Sequence, residues 1–175
     1  MEKKTINLKE ASFTQSINIS AQWCREWGED LLSEEVLADR ISELIKTKNG
    51  LRGFFAYALS DRDCYLFDKL PSSIVYKLTE NGMNVVEIIV KNLIMSSAQI
   101  VIHKREHNLE YKANSENISE RCKSILRVLD TNLVKKTINT FLEDLDNLGN
   151  SFDNSTRYDV NQKEFIKKQI FDIAK

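Results

Sequence analysis

Apolar positions recur along this chain at the spacing of helical faces, and most runs end at a recognisable cap or stop. From Phe13, apolar residues continue at Ile17, Ala21, Cys24, Trp27 and Leu31, one face of a helix. Ser33 is placed to cap a second helix, with Glu34 and Glu35 facing the positive end of its dipole. Leu37, Ile41, Leu44 and Ile45 form its stripe, Lys46 and Lys48 suit its last turn, and Asn49-Gly50 stops it. The run Leu51 to Leu59 is short and rich in alanine, which favours a buried helix over a strand. Ser60 to Asp63 reads as a loop, Pro71 as the opening of a helix, and Asn81-Gly82 as its end.

The segment from Met83 to Ile102 is apolar on nearly every side. Asn84, Glu87 and Lys91 form one narrow polar stripe, while Val86, Ile89, Val90, Leu93, Ile94, Ile100 and Val101 cover the rest. Such a helix is buried against several neighbours or against a partner chain. Its length would also reach across a bilayer, but Glu87, Lys91, Asn92 and Gln99 oppose a membrane span, so it reads as a core helix. Ser96 and Ser97 would let a neighbouring helix approach closely.

Asn117 with Glu120 resembles a capping box. Ile118, Cys122, Ile125, Leu129, Leu133, Ile138, Phe141, Leu145 and Leu148 then predict one long helix ending at Gly149. Residues 150–158 read as a loop, and Asp159 with Gln162 opens a last helix carrying Ile166, Ile170 and Ile173. A β alternative survives only at residues 98–111, as a hairpin without the usual Asn-Gly or Asp-Gly turn. The expectation is an all-α irregular helical bundle of about six or seven helices. Two long antiparallel helices, Met83 to Glu110 and Asn117 to Leu148, form its centre. It is read as a single domain over residues 1–175, with 1–32 as an N-terminal helix packed on the bundle.

Composition narrows the function without naming it. Five glycines and one proline leave little material for hairpins or phosphate loops. A net charge of −1 with interspersed signs offers no basic field, so neither nucleic acid nor membrane is an expected partner. Cys24, Cys64 and Cys122 are odd in number and far apart, which suggests reduced thiols in a cytoplasm rather than a disulfide framework. No apolar stretch follows Glu2-Lys3-Lys4, so no ordinary secretory signal is read.

The apolar segment runs into His103-Lys104-Arg105-Glu106-His107, which holds both histidines of the chain. On a continuous helix, His103 and His107 would share a face and fill two positions of a tetrahedral zinc. Glu106 would act on a bound water, with Glu110 or Glu164 as a third ligand. Over these five residues the spacing resembles that of the inverzincins, whose further glutamate has no counterpart identified here. Lys104 and Arg105 place positive charge beside the supposed cation, and a solvated helix end accounts for the same residues.

Other motifs carry less. Gly50-Leu51-Arg52-Gly53 has the form of the loop with which KH domains clamp nucleic acid, but close packing of Gly53 explains it as well. Asp144 to Gly149 starts like a calcium loop, yet Leu148 and Ser155 stand where ligands are required. Cys64, beside Asp61 and Asp63, sits among anions that oppose thiolate formation. Trp23 and Trp27 read as packing residues. No cofactor follows from any of this. The apolar surface of the two long helices looks too large for their short neighbours to cover, which suggests a non-enzymatic interaction or regulatory module acting as a homodimer. The competing reading is a small metal- or ligand-binding helical protein with its site at His103, Glu106 and His107.

Overall fold

The structure is a computed structural model that describes residues 7–146 and 158–174. Among the described residues there are nine α-helices, two short 3-10 turns and no strand, so the all-α expectation holds and the hairpin at 98–111 is excluded. The helices fall into two compact units, Met1–Asn81 and Gly82–Lys175, divided at the Asn81-Gly82 stop.

The first unit contains α1 (Phe13–Gly28), α2 (Glu34–Leu44), α3 (Lys48–Ser60), α4 (Leu66–Lys69) and α5 (Ser72–Glu80). Local chemistry sets the starts. Ser12 and Gln15 form a full capping box on α1, Ser33 accepts from the Val36 amide to open α2, and Thr47 accepts from the Gly50 amide to open α3. Thr47 therefore corrects the expected boundary. α2 ends at Leu44, Lys48 begins the next helix, and Gly50 and Gly53 both lie inside α3. The core of this unit gathers Phe54, Phe55 and Phe67, with Phe54 edge-on to both others and Phe55 stacked on Phe67 at 5.7 Å. Leu37, Ile41, Leu44, Ile74 and Leu78 are almost fully buried beside them. Each such side chain stabilises the fold by about 1.5–3 kcal/mol relative to exposure.

The buried face of α1 differs from the one its apolar spacing predicts. Ser16, Ile19, Ser20 and Cys24 are buried, whereas Phe13 is 37% and Leu31 73% exposed. The reason is α3. A Cβ placed on Gly53 would stand 2.5 Å from the Ser16 Cβ and 2.9 Å from the Phe13 carbonyl oxygen, so the two backbones approach too closely for larger side chains. The serine hydroxyls are satisfied within the helix, Ser16 donating to the Ser12 carbonyl at 2.8 Å and Ser20 to the Ser16 carbonyl at 2.7 Å. Trp23 and Trp27 are half-buried, with Arg40 over the first ring and Lys69 over the second.

The second unit contains α6 (Gly82–Arg105), α7 (Leu109–Val128), α8 (Thr131–Asp146) and α9 (Val160–Phe171). α6 and α7 are joined through residues 106–108 and pack along each other as a helical hairpin, while α8 and α9 also lie on α6. Val85, Val86, Ile89, Val90 and Leu93 are fully buried in consequence. α6 is the one helix among the described residues long and apolar enough to cross a membrane by length and composition, and 56% of that stretch is buried inside the chain. The helix expected from Asn117 to Leu148 is two helices. Asn117 lies inside α7, Leu129 turns extended with ψ 172, and the Asp130 carboxylate accepts from the Leu133 amide at 2.7 Å to start α8. The expected end at Gly149 and the loop at 150–158 lie, except for Tyr158, outside the described residues. Asp159 and Gln162 form the capping box that opens α9, as read from the sequence.

Candidate functional site

The histidines stand at the join between α6 and α7. The Glu106 amide donates to the Ile102 carbonyl at 3.0 Å, the His107 amide to Lys104 at 3.3 Å and the Asn108 amide to His103 at 2.9 Å. With His107 at φ 55, this is a Schellman ending in which a histidine holds the left-handed position usually given to glycine. Asn108 then caps α7 by accepting from the Tyr111 amide. The continuous helix that would set His103 and His107 on one face is therefore not formed, because α6 ends at Arg105.

His103 is half-buried, its ring 5.6 Å from that of Tyr111. Its Nδ1 is buried without a hydrogen-bond partner and lies 3.7 Å from the Glu106 Oε2. Glu106 and His107 are exposed. Among the described residues no group of three or more histidine, cysteine, aspartate or glutamate side chains is placed to hold a metal ion. The structure thus brings His103 and Glu106 near each other and leaves His107 beyond the end of α6.

A second feature of this unit is an open groove of about 320 Å³ between α6 and α8. Met83, Glu87 and Lys91, four residues apart, line the α6 side. Lys136, Thr137, Phe141 and Asp144 line most of the α8 side, with Phe141 and Thr137 each only 6% exposed. Glu87 and Lys91 belong to the polar stripe visible in the sequence, but that they line a groove with α8 depends on how the two helices pack.

The sequence also gave no warning of two buried cations. Arg121 and Lys123 flank Cys122 on α7, and all three are buried. Lys123 Nζ donates to Gln169 Oε1 at 2.9 Å and meets Glu120 Oε1 at 2.5 Å, while Ser119 Oγ donates to the same Gln169 oxygen at 3.3 Å. One amide of α9 thus receives two donors from α7. On an amphipathic helix, charged residues ordinarily read as a solvated face, so nothing in the local pattern marks these. Nearby, Arg105 makes a bidentate pair with Asp159 at 2.6 and 3.1 Å. Hydrogen bonding from Arg105, then from backbone amides of α9, holds the Asp159 carboxyl down to about 2.

The remaining sequence motifs resolve as packing. Gly50 and Gly53 are helical and close-packed, so the G-x-x-G is not a loop. Asp144 lies in the last turn of α8, and the rest of the calcium-loop match from Asn147 falls outside the described residues. Cys64 is 2% exposed.

The chain belongs to the family described as uncharacterised conserved protein UCP020893, whose model matches residues 12–173. A search of curated proteins and a search of solved structures each returned no match.

Proposed function

We propose that this member of the family is a non-enzymatic helical interaction module of the cytoplasm, working as a homodimer through the groove between α6 and α8. The observation that carries the reading is the groove's composition. It presents two carboxylates, Glu87 and Asp144, and two ammonium groups, Lys91 and Lys136, around an apolar floor at Phe141 and an exposed Met83. A two-fold contact needs one patch that is complementary to itself, and a patch carrying both signs in equal number meets that need. The body of α6 is covered by its own chain, so the contact falls at its first turns.

Sedimentation equilibrium over a range of concentrations tests this. The wild type is expected to dimerise, and Lys91→Glu with Lys136→Glu to shift it to monomer. Mixing that variant with Glu87→Lys/Asp144→Lys should restore the pair. A wild type that is monomeric at every concentration overturns the reading, and so does a dimer indifferent to all four substitutions.

The second reading, a small metal- or ligand-binding helical protein, draws on one observation: the unpartnered His103 Nδ1 facing Glu106 at 3.7 Å. Zinc retained through dialysis by the wild type and lost in His103→Ala would support it. A wild type that retains none removes it.

A further inference from the structure

The last helix of the second unit, α9, meets the α6–α7 hairpin over little apolar surface. Its buried residues are Gln162, Ile166 and Ile170, of which only the isoleucines are apolar. Val160 and Phe171, at its two ends, stand 70% and 65% exposed. The ends are fastened by polar groups instead. At the start, Arg105 of α6 makes its bidentate pair with Asp159, and Gln162 Nε2 donates to the Ala98 carbonyl at 3.4 Å. At the other end, Ser119 and Lys123 both donate to Gln169, and Arg127 donates to the Asp172 carbonyl at 2.8 Å, just past the helix.

Ser119, Lys123 and Arg127 are spaced four apart, so one face of α7 supplies all three donors. The signs also suit the helix they hold. Asp159 caps the positive end of α9, and the cations Lys123 and Arg127 stand at its negative end. α6 is held differently, by burial of Val85, Val86, Ile89, Val90 and Leu93, a contact on which screening of charge does not act.

We propose that α9 is a releasable clasp, a conformational device that opens from the α6–α7 hairpin as a unit when ionic strength rises and closes when it falls. The hairpin stays folded throughout. Salt screens Arg105, Asp159 and Arg127 most strongly, because all three are exposed. Opening uncovers α6 at Ala98, which is 2% exposed in the closed form, and gives solvent to Lys123, which is 4% exposed. One exposed ion pair shifts such an equilibrium by up to about fivefold. Fastenings at both ends act together, so the response is larger than that of either alone.

Peptide-resolved hydrogen exchange on the full native chain tests this, with rates referred to unstructured peptides in the same salt. From about 0.01 M to about 1 M sodium chloride, protection of the α9 amides is expected to fall about three- to tenfold. Protection of the α6 amides should not change, because local opening leaves them bonded. Arg105→Gln with Arg127→Gln alters two exposed side chains and should fold. At low salt it should show the α9 exchange that the wild type shows at high salt. If α9 and α6 lose protection together at every salt concentration, α9 opens only with the whole unit and there is no clasp. Separate opening of α9 that ignores salt, or that the double substitution leaves unchanged, overturns the proposal equally.

Discussion

In the first unit α1 meets α3 over serines and a glycine; in the second, α6 meets its neighbours over valines, isoleucines and leucines. Both contacts are buried, but different forces dominate them. Around α6 the apolar area removed from water sets the strength, and the helix has three partners to supply it. Between α1 and α3 the backbones come so close that side-chain volume must be absent, and fit decides. The comparison teaches that an apolar stripe predicts the buried face where volume is wanted and fails where it is excluded.

The largest expected effect is on the volume side. Ile89→Ala should lower stability by about 2–5 kcal/mol, because Ile89 is fully buried and the cavity is walled by packed helices. Urea unfolding followed by far-ultraviolet circular dichroism measures it, and a loss under about 1 kcal/mol would show that the site collapses freely.

Next comes the exclusion side. Gly53→Ala adds a better helix former, worth about 1 kcal/mol, yet its methyl would meet the Ser16 Cβ at 2.5 Å and the Phe13 carbonyl at 2.9 Å. Net destabilisation of about 1–3 kcal/mol is expected from overpacking. Ser16→Gly should recover part of it, since it removes one of the two clashing atoms. Both tryptophans lie in α1, so their fluorescence follows the unfolding of this unit. A stabilised Gly53→Ala would break the comparison outright.

The smallest effect concerns an exposed ion pair. Asp159 has a folded pKa below the ordinary carboxylate value, so its pairing with Arg105 contributes above that value and is lost as pH falls toward about 2. Asp159→Asn keeps a good helix cap and removes the charge. Its thermal midpoint should therefore fall less than that of the wild type between about pH 4 and about pH 2. Parallel curves for the two proteins would remove Asp159 from the acid response.

Much of the helical plan was legible because its signals are local. Ser33 before two glutamates, the Asn81-Gly82 stop and the Asp159–Gln162 box each act within a few residues and stand where they were read. The break at Leu129-Asp130 is masked in the pattern because Leu129 and Leu133 keep helical spacing across it, although Asp130 supplies a cap of the same local kind. At the candidate site, the five-residue histidine spacing was visible, but its meaning depended on α6 continuing past Arg105. Three backbone hydrogen bonds and the left-handed His107 end it instead.

By itself the sequence determined an all-α chain with most of its helix starts, and it marked Met83 to Ile102 as a core helix. These follow from side-chain periodicity and from capping groups that act on neighbouring amides. Only the tertiary structure decided that α1 buries serines, that Arg121 and Lys123 are enclosed, and that Glu87 and Lys91 line a groove with α8. Each of those depends on residues far apart in the chain. Close approach and shared hydrogen bonds arise only when separate helices are packed, and no periodicity along one helix encodes the surface of the next.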